Sequence, residues 1–251
     1  MTIFNSPALR AAAVLASLLV SGCASLSGPS PSADPLESFN RASFKFNETV
    51  DDAVLKPVAK GYVAVMPVFV RTGIGNAFGN VSDVAIAANN LLQGKASDAA
   101  SDVGRFLVNT TLGIFGLWDV ATPMGLDKHN EDFGQTLGKW GVGSGPYVVI
   151  PFLGPSSVRD GFGRIADAPL GYWSHIDNIA TRNSLYVTEA ISGRAFLLGA
   201  TNTLEEAALD KYNFVRDGYL QRRLRYVYDG KPPQEKLDQL DDSLDPPPLK
   251  K

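Results

Sequence analysis

The sequence has little of what most catalytic and metal chemistry requires. Its 251 residues hold one cysteine, Cys23, and two histidines, His129 and His175. A single cysteine excludes an intrachain disulfide. Neither histidine has a second His or Cys at ligand spacing, so no zinc ligand set can be assembled. Asp127, His129, Glu131 and Asp132 crowd one short stretch, a pattern that ordinarily means a solvated loop. The G-x-S-x-G elbow of serine hydrolases is missing, because Ser144 stands in Val142-Gly143-Ser144-Gly145-Pro146. No G-x-x-x-x-G-K-[ST] phosphate loop occurs. Gly161-Phe162-Gly163-Arg164-Ile165-Ala166 spells G-x-G-x-x-A, but Ser156 to Asp160 before it is not a β-prone run, so the dinucleotide fingerprint lacks its context. The sequence therefore reads as a non-enzyme with no metal and no cofactor.

Long apolar runs and an excess of basic charge are absent as well. The formal charge is −3, and no basic footprint for nucleic acid exists. The run Ala11 to Val20 is ten residues long, whereas a bilayer span needs about 20. With Arg10 before it and small residues after it, the run reads as an export signal covering residues 1–22. Its end, Leu19-Val20-Ser21-Gly22-Cys23, resembles the lipobox of bacterial lipoproteins and marks Cys23 for lipidation. Ala24 rather than Asp follows, which resembles the outer-membrane default. Residues 23–33, rich in Ser, Pro and Gly, read as a flexible tether. Residues 231–251, rich in Pro, Asp and Lys, read as a disordered tail. Residues 34–230 between them suffice for one well-cored domain.

Within that domain charge is distributed unevenly. Residues 61–94 carry only Arg71 and Asp83, residues 106–126 only Asp119, and residues 133–158 only Lys139. A buried core is the ordinary meaning of such segments. Here, however, Gly and Pro interrupt them, and their apolar stretches, such as Gly61 to Val70 and Phe106 to Trp118, would as helix match about one leaflet of a bilayer roughly 30 Å thick.

The residue spacing predicts mostly helix. Asp34-Pro35-Leu36-Glu37 reads as a helix entrance capped by Asp34. Leu36, Phe39, Ala42, Phe46, Val50 and Ala53 then form a 3.6-residue stripe. Phe44 lies off the stripe, facing lipid or a neighbouring segment. The helix should stop near Lys56, with another running to about Met66. Residues 68–93 read as a helix stopped by Gly94, and Ser97 as the cap of one running to about Leu112. Residues 119–160 read as loop with one short hairpin at Tyr147-Val148-Val149-Ile150. Helices return after Asp177, weakly patterned through Phe196 and more strongly from Leu204 to Val227.

Several segments resemble the MlaA (VacJ) lipoprotein family. They are residues 34–41 (Asp34-Pro35-Leu36-Glu37-Ser38-Phe39-Asn40-Arg41), Phe44-Lys45-Phe46-Asn47, residues 105–113, and Phe133-Gly134-Gln135-Thr136-Leu137-Gly138 continuing through Gly141 to Tyr147, Pro151 to Gly154 and Arg159-Asp160. The resemblance covers about residues 34–230. It implies a mainly α fold: amphipathic helices in a ring-like single domain, embedded in one leaflet of the outer membrane at its periplasmic face. It also implies a polar channel that removes mislocalised phospholipid from the outer leaflet. The implied partners are phospholipid, a trimeric outer-membrane porin and the periplasmic lipid carrier MlaC. The alternative is a structural envelope lipoprotein that associates with porins without transport.

Three groups of residues are candidates for this work. Trp140, Gly143, Gly145 and Tyr147 lie in the Gly/Pro-rich stretch and would form a channel mouth, with Tyr147 or Trp140 at the membrane interface, or else a rigid structural loop. Asn40, Arg41 and Asn47 are polar residues in an aromatic helix and would line a head-group path, or else serve as caps or surface residues. Arg222, Arg223 and Arg225 would meet the carrier or lipid head groups, or else mark a solvated helix end.

Overall fold

The computed structural model describes residues 34–171 and 175–244, apart from the side chains of residues 202–207. The lipidation candidate Cys23, the signal and the tether lie outside the described residues. The architecture is mainly α with one two-stranded hairpin. Helix α1 (Glu37–Val50) does not stop near Lys56. It runs through a π-helical turn, Asp51–Leu55, into α2 (Lys56–Val65). Pro57 lacks the N–H of the α-helical ladder, and the wider turn before it lets the chain continue without a break. Pro67 does end α2, because the residue before proline is driven extended, and Met66 sits at φ −89°, ψ 122°. Helix α3 (Val68–Leu92) stops at Gly94, whose φ is +80°. Helix α4 (Ala96–Thr111) begins after Lys95, one residue before Ser97, which does not cap it.

The stretch expected to be loop holds more structure. A short helix, α5 (Phe133–Lys139), is capped by Asp132, whose carboxylate accepts from Gln135 N at 2.8 Å. Strand β1 (Tyr147–Ile150) pairs antiparallel with β2 (Gly154–Ser157), with Tyr147 opposite Ser157. Ser157 then caps α6 (Val158–Asp167) through the Asp160 N–H. Helix α7 (Ile179–Ala207) and helix α8 (Lys211–Val227) are separate where one strong helix was expected from Leu204, because Asp210 caps a new N-terminus through the Asn213 N–H. The C-terminal segment also departs from the expected disorder. Residues Gln234–Leu244 form α9, and Leu240 and Leu244 pack on the core.

That core is small. Tyr147, Val149, Tyr212, Tyr219 and Leu220 cluster where β1 meets α8, with Phe44 edge-on to Tyr212 at 5.7 Å. Two asparagines one heptad apart on α1 fix the hairpin to it. Asn40 Nδ2 donates to Tyr147 O at 2.9 Å, and its Oδ1 accepts from Val149 N at 2.8 Å. Asn47 repeats the pattern, donating to Ile150 O at 3.1 Å and accepting from Phe152 N at 2.7 Å. The Asn40 amide takes the place of a neighbouring strand along the open edge of β1, and the Asn47 amide holds the turn that follows β1. Asp34 is not a helix cap. It is buried, and its carboxylate accepts from Asn40 Nδ2 at 2.7 Å and from the Tyr212 hydroxyl.

A second node ties α5, α6 and α8 together. Arg223 donates from Nη1 to Asp132 at 2.5 Å, and from Nε and Nη2 to Asp160 at 2.9 and 2.8 Å. The Tyr219 hydroxyl adds a bond to Asp160 at 2.6 Å. Burial works against ionisation of both carboxyls, but the hydrogen bonds and charge of Arg223 outweigh it and hold Asp132 and Asp160 below the usual carboxylate range. Helices α5 and α6 cross in backbone contact at Gly134 and Gly163. A Cβ on Gly163 would lie 2.4 Å from Gly134 N, and one on Gly134 would lie 2.6 Å from Asp160 Oδ1. The apparent dinucleotide glycine is thus a close-packing glycine.

Two outcomes follow for stability, both read by denaturant unfolding of the purified chain. Asn40→Ala leaves the Val149 N–H without its partner and should cost about 1–3 kcal/mol. Asn40→Asp should cost more, because it sets a second carboxylate against Asp34. Arg223→Met should cost about 3–5 kcal/mol near neutral pH, since it takes the shared cation from the buried Asp160 and the half-buried Asp132. Its pH dependence should also weaken. The parent has depressed carboxyls, so it holds this stability above the unfolded pKa near 4 and loses it as pH falls through the lower folded values. In the variant burial still raises both pKa values, while the Gln135 N–H, the Tyr219 hydroxyl and Arg159 lower them without the help of Arg223, so less stability should be lost as pH falls.

Candidate functional site

Burial in this chain is inverted. Among the described residues the buried polar and charged side chains, 17 in all, outnumber the 11 buried apolar ones. Most of the polar group is paired. Between α3 and α4, Asn90 Nδ2 donates to Asp102 at 2.7 Å, and His129 Nδ1 meets the same carboxylate at 2.8 Å. Arg105 reaches Asp119 at 3.1 Å, and Lys128 reaches the fully buried Asp83. Burial pushes the Asp83 carboxyl up, against Lys128 and Arg105. Asn109 accepts from the Val120 and Ala121 N–H groups and donates to Asp119.

Apolar side chains instead face outward. Phe196 is 88% exposed, Phe115 79%, Val65 78% and Phe69 75%, and Leu107, Leu112, Ile114 and Trp118 are also exposed. Exposed apolar surface on this scale marks contact with a membrane or a partner. Among the described residues no helix is long and apolar enough to cross a membrane.

Two cavities lie between α3 and α7, and both have Phe78 in their walls. The first, about 460 Å³, is bounded by Tyr62 of α2, by Val68, Arg71, Thr72, Gly75 and Asn76 of α3, and by Glu189, Ser192, Gly193 and Phe196 of α7. The second, about 800 Å³, is mainly apolar. Ile74, Val81, Val84, Phe106, Phe115, Leu117, Leu170 and Leu185 line it, with Asn80, Thr110, His175 and Thr188 as its polar groups. Both volumes lie within the range of small-molecule sites, about 300–1,000 Å³. The turn after α4 borders the second cavity in a tight conformation. Ile114, Phe115 and Gly116 all have positive φ, and a Cβ on Gly116 would strike Asn80 at 2.6 Å.

The candidate residues fall elsewhere. Tyr147 is fully buried in the core and so is not at an interface. Trp140 is exposed, its Nε1 donating to Leu92 O at 3.1 Å. Gly145, at φ +67° against Val158, has a backbone role, whereas Gly143 and Ser144 border a cavity of about 420 Å³ with Lys236 and Leu240 of α9. Asn40 is fully buried in bonds to the hairpin, and Asn47 clamps its other end, so neither amide is free to line a path. Arg41 pairs with Glu37 and Asp210, and its guanidinium lies 4.4 Å from the centre of the Tyr212 ring. Arg223 is buried, while Arg222 and Arg225 are exposed. Residue type alone could not separate three arginines that point in different directions from one helix. The sequence did carry a signal for the α3 cavities, in that Arg71 and Asp83 are the only charges in residues 61–94. One lines a cavity and the other is buried beneath.

Comparison with known proteins agrees with this architecture. The family model "MlaA lipoprotein" matches residues 32–225. The intermembrane phospholipid transport system lipoprotein MlaA of Escherichia coli K12 is 37% identical over 84% of this chain and 85% of its own length. Its counterpart from Haemophilus influenzae is 31% identical over 92% and 95%. A solved chain from work on the structural basis for maintenance of bacterial outer membrane lipid asymmetry superposes with a TM-score of 0.69. It is 36% identical and covers 77% of this chain and 98% of that one. The chain belongs to the MlaA lipoprotein family.

Proposed function

We propose that this protein is a phospholipid transport component. It withdraws mislocalised phospholipid from the outer leaflet of the outer membrane and passes it to a soluble periplasmic carrier. Lipid on Cys23 anchors it, and its outward apolar side chains sit in the leaflet that holds the anchor, beside a trimeric porin. The observation that carries this reading is the inverted burial together with the paired cavities between α3 and α7. A phospholipid leaving a leaflet needs a polar route for its head while its tails stay in apolar surroundings, because burying an unpartnered charged head costs several kcal/mol or more. The first cavity has Arg71, Thr72, Asn76, Glu189 and Ser192 in its walls for the head, and the one at Phe106 and Leu185 is apolar for the tails.

Gly75 provides the test, since it lines the first cavity and nothing lies within 4 Å of a Cβ placed on it. Gly75→Trp should fill the route without disturbing the fold. A strain relying on it should accumulate surface phospholipid to the level of a strain lacking the protein, read as sensitivity to an external phospholipase. Full complementation by Gly75→Trp would move the route elsewhere and favour a purely structural role beside the porin. The leaflet contact is tested in a Cys23→Ser chain, where lipid no longer holds the protein. Phe115→Asp and Phe196→Asp should each weaken its residual flotation with vesicles roughly tenfold or more, since burying a Phe contributes about 1.5–3 kcal/mol. Unchanged flotation would remove these side chains from the bilayer.

A further inference from the structure

We infer that α2 and α7 form one movable wall over both cavities, hinged on the π-helical turn Asp51–Leu55 and braced across that hinge by Arg194 on Asp51, and that opening of this wall admits and releases phospholipid. The gating rests on the transport reading above and adds to it a moving element. Helix α2 is jointed at both ends. At its start the π turn buries no residue, and the ladder there lacks the N–H of Pro57. At its end Met66 is extended before Pro67. Such interruptions are where helices bend. Helix α1, on the other side of the turn, is held to the hairpin by Asn40 and Asn47. Helix α2 itself buries only Ala59 and packs chiefly on α7. Among the described residues of α7 none is buried, and this helix packs more closely on α2 than on α3. The two helices are thus joined to each other more firmly than either is to the rest of the fold.

The brace crosses the joint. Arg194 Nε donates to Asp51 Oδ1 and Nη2 to Asp51 Oδ2, both at 2.7 Å, while Nη1 donates to Thr201 Oγ1 at 3.0 Å. Asp51 follows directly on the pinned α1, and Arg194 rides on the wall, so a swing of the wall must pull this fork apart. A bidentate guanidinium–carboxylate pair is strict in its geometry. The Arg194 side chain is 11% exposed, so water and salt screen the pair less than a surface bridge. Gly193 and Phe196 of the wall line the first cavity together with Tyr62, and Leu185 and Thr188 line the second. Moving α7 away from α3 therefore opens both at once. The wall carries the exposed side chains Val58, Val65, Val187 and Phe196. With these in a leaflet, the swing carries an apolar face through apolar surroundings and exposes little of it to water.

The experiment uses the full-length chain carrying Cys23→Ser, Ala100→Cys and Ala190→Cys, which places two spin labels on exposed positions of α4 and α7. Double electron–electron resonance in detergent reads the distance between them. The same chain, loaded with fluorescent phosphatidylethanolamine and chased with excess unlabelled vesicles, gives the release rate. The parent should show one main distance without lipid and add a longer one with it. Arg194→Gln should populate the longer distance without lipid and release lipid about tenfold faster, the size expected of one charge-assisted hydrogen bond. Asp51→Arg should do the same, and Asp51→Arg combined with Arg194→Asp should return both readings toward the parent, which separates a brace from a general loss of folding. Failure of the combined variant to restore either reading overturns the brace. Distances alike in the parent and in Arg194→Gln, with lipid and without, overturn the movable wall and leave transport standing. Longer distances with an unchanged release rate overturn the gating. A parent that takes up no phospholipid overturns the transport reading and the gating with it, while the distances still decide whether the wall moves.

Discussion

Arg223 lies buried between Asp132 and Asp160, and three helices take their positions from it. The two carboxylates are also capping positions, or next to them. Asp132 caps α5 through Gln135, and Asp160 lies in the first turn of α6. One guanidinium therefore sets where two helices begin and how the third, α8, lies against them. The contact demands space, which glycine supplies at Gly134 and Gly163, where any side chain would occupy the seat of the carboxylate or of the facing backbone. Were the pair split, the charges could not be hydrated in place, and the crossing of α5 and α6 would have nothing to hold it closed.

The same requirement runs through the rest of the fold. A chain whose large apolar side chains face outward has few left for a core, and here that core is a cluster of tyrosines, a valine and a leucine. Cohesion must come from polar contacts that are directional and individually satisfied. Asn40 and Asn47 show how specific these are. Each presents one donor and one acceptor to successive backbone groups of the hairpin, and no apolar side chain of similar size could do so. Such contacts specify register as well as binding energy, which an amphipathic stripe alone does not.

This explains which parts of the fold could be read from sequence. Helix periodicity, Gly94 as a stop and the four-residue strand at Tyr147 are local properties, and local patterns carry them. What Asn40 meets, more than a hundred residues further on, is not written in any spacing. The two roles of Asp34 look alike in sequence because an N-cap and a buried acceptor require the same short carboxylate. Tyr147 was misread because an amphipathic ring suits an interface and a core equally well. In α9 the many prolines and acids of the tail hide Leu237, Leu240 and Leu244, whose spacing by three and four is that of a docked helix. For the candidate site, the scarcity of charge in residues 61–94 singles out the helix that lines both cavities. The polar residues of α1 and the Gly-rich loop are conspicuous in sequence but serve the hairpin and its packing.

The scarcity itself has a physical meaning. A helix lying with one side in hydrocarbon and the other against a polar interior can keep a charge only where that charge has a partner or a wet cavity. In α3, Asp83 satisfies the first condition through Lys128 and Arg105, and Arg71 the second through the cavity it shares with Glu189. An arginine held by a single backbone carbonyl at the wall of a cavity adds little to the stability of the fold. Such a residue is better accounted for by what enters the cavity than by what surrounds it.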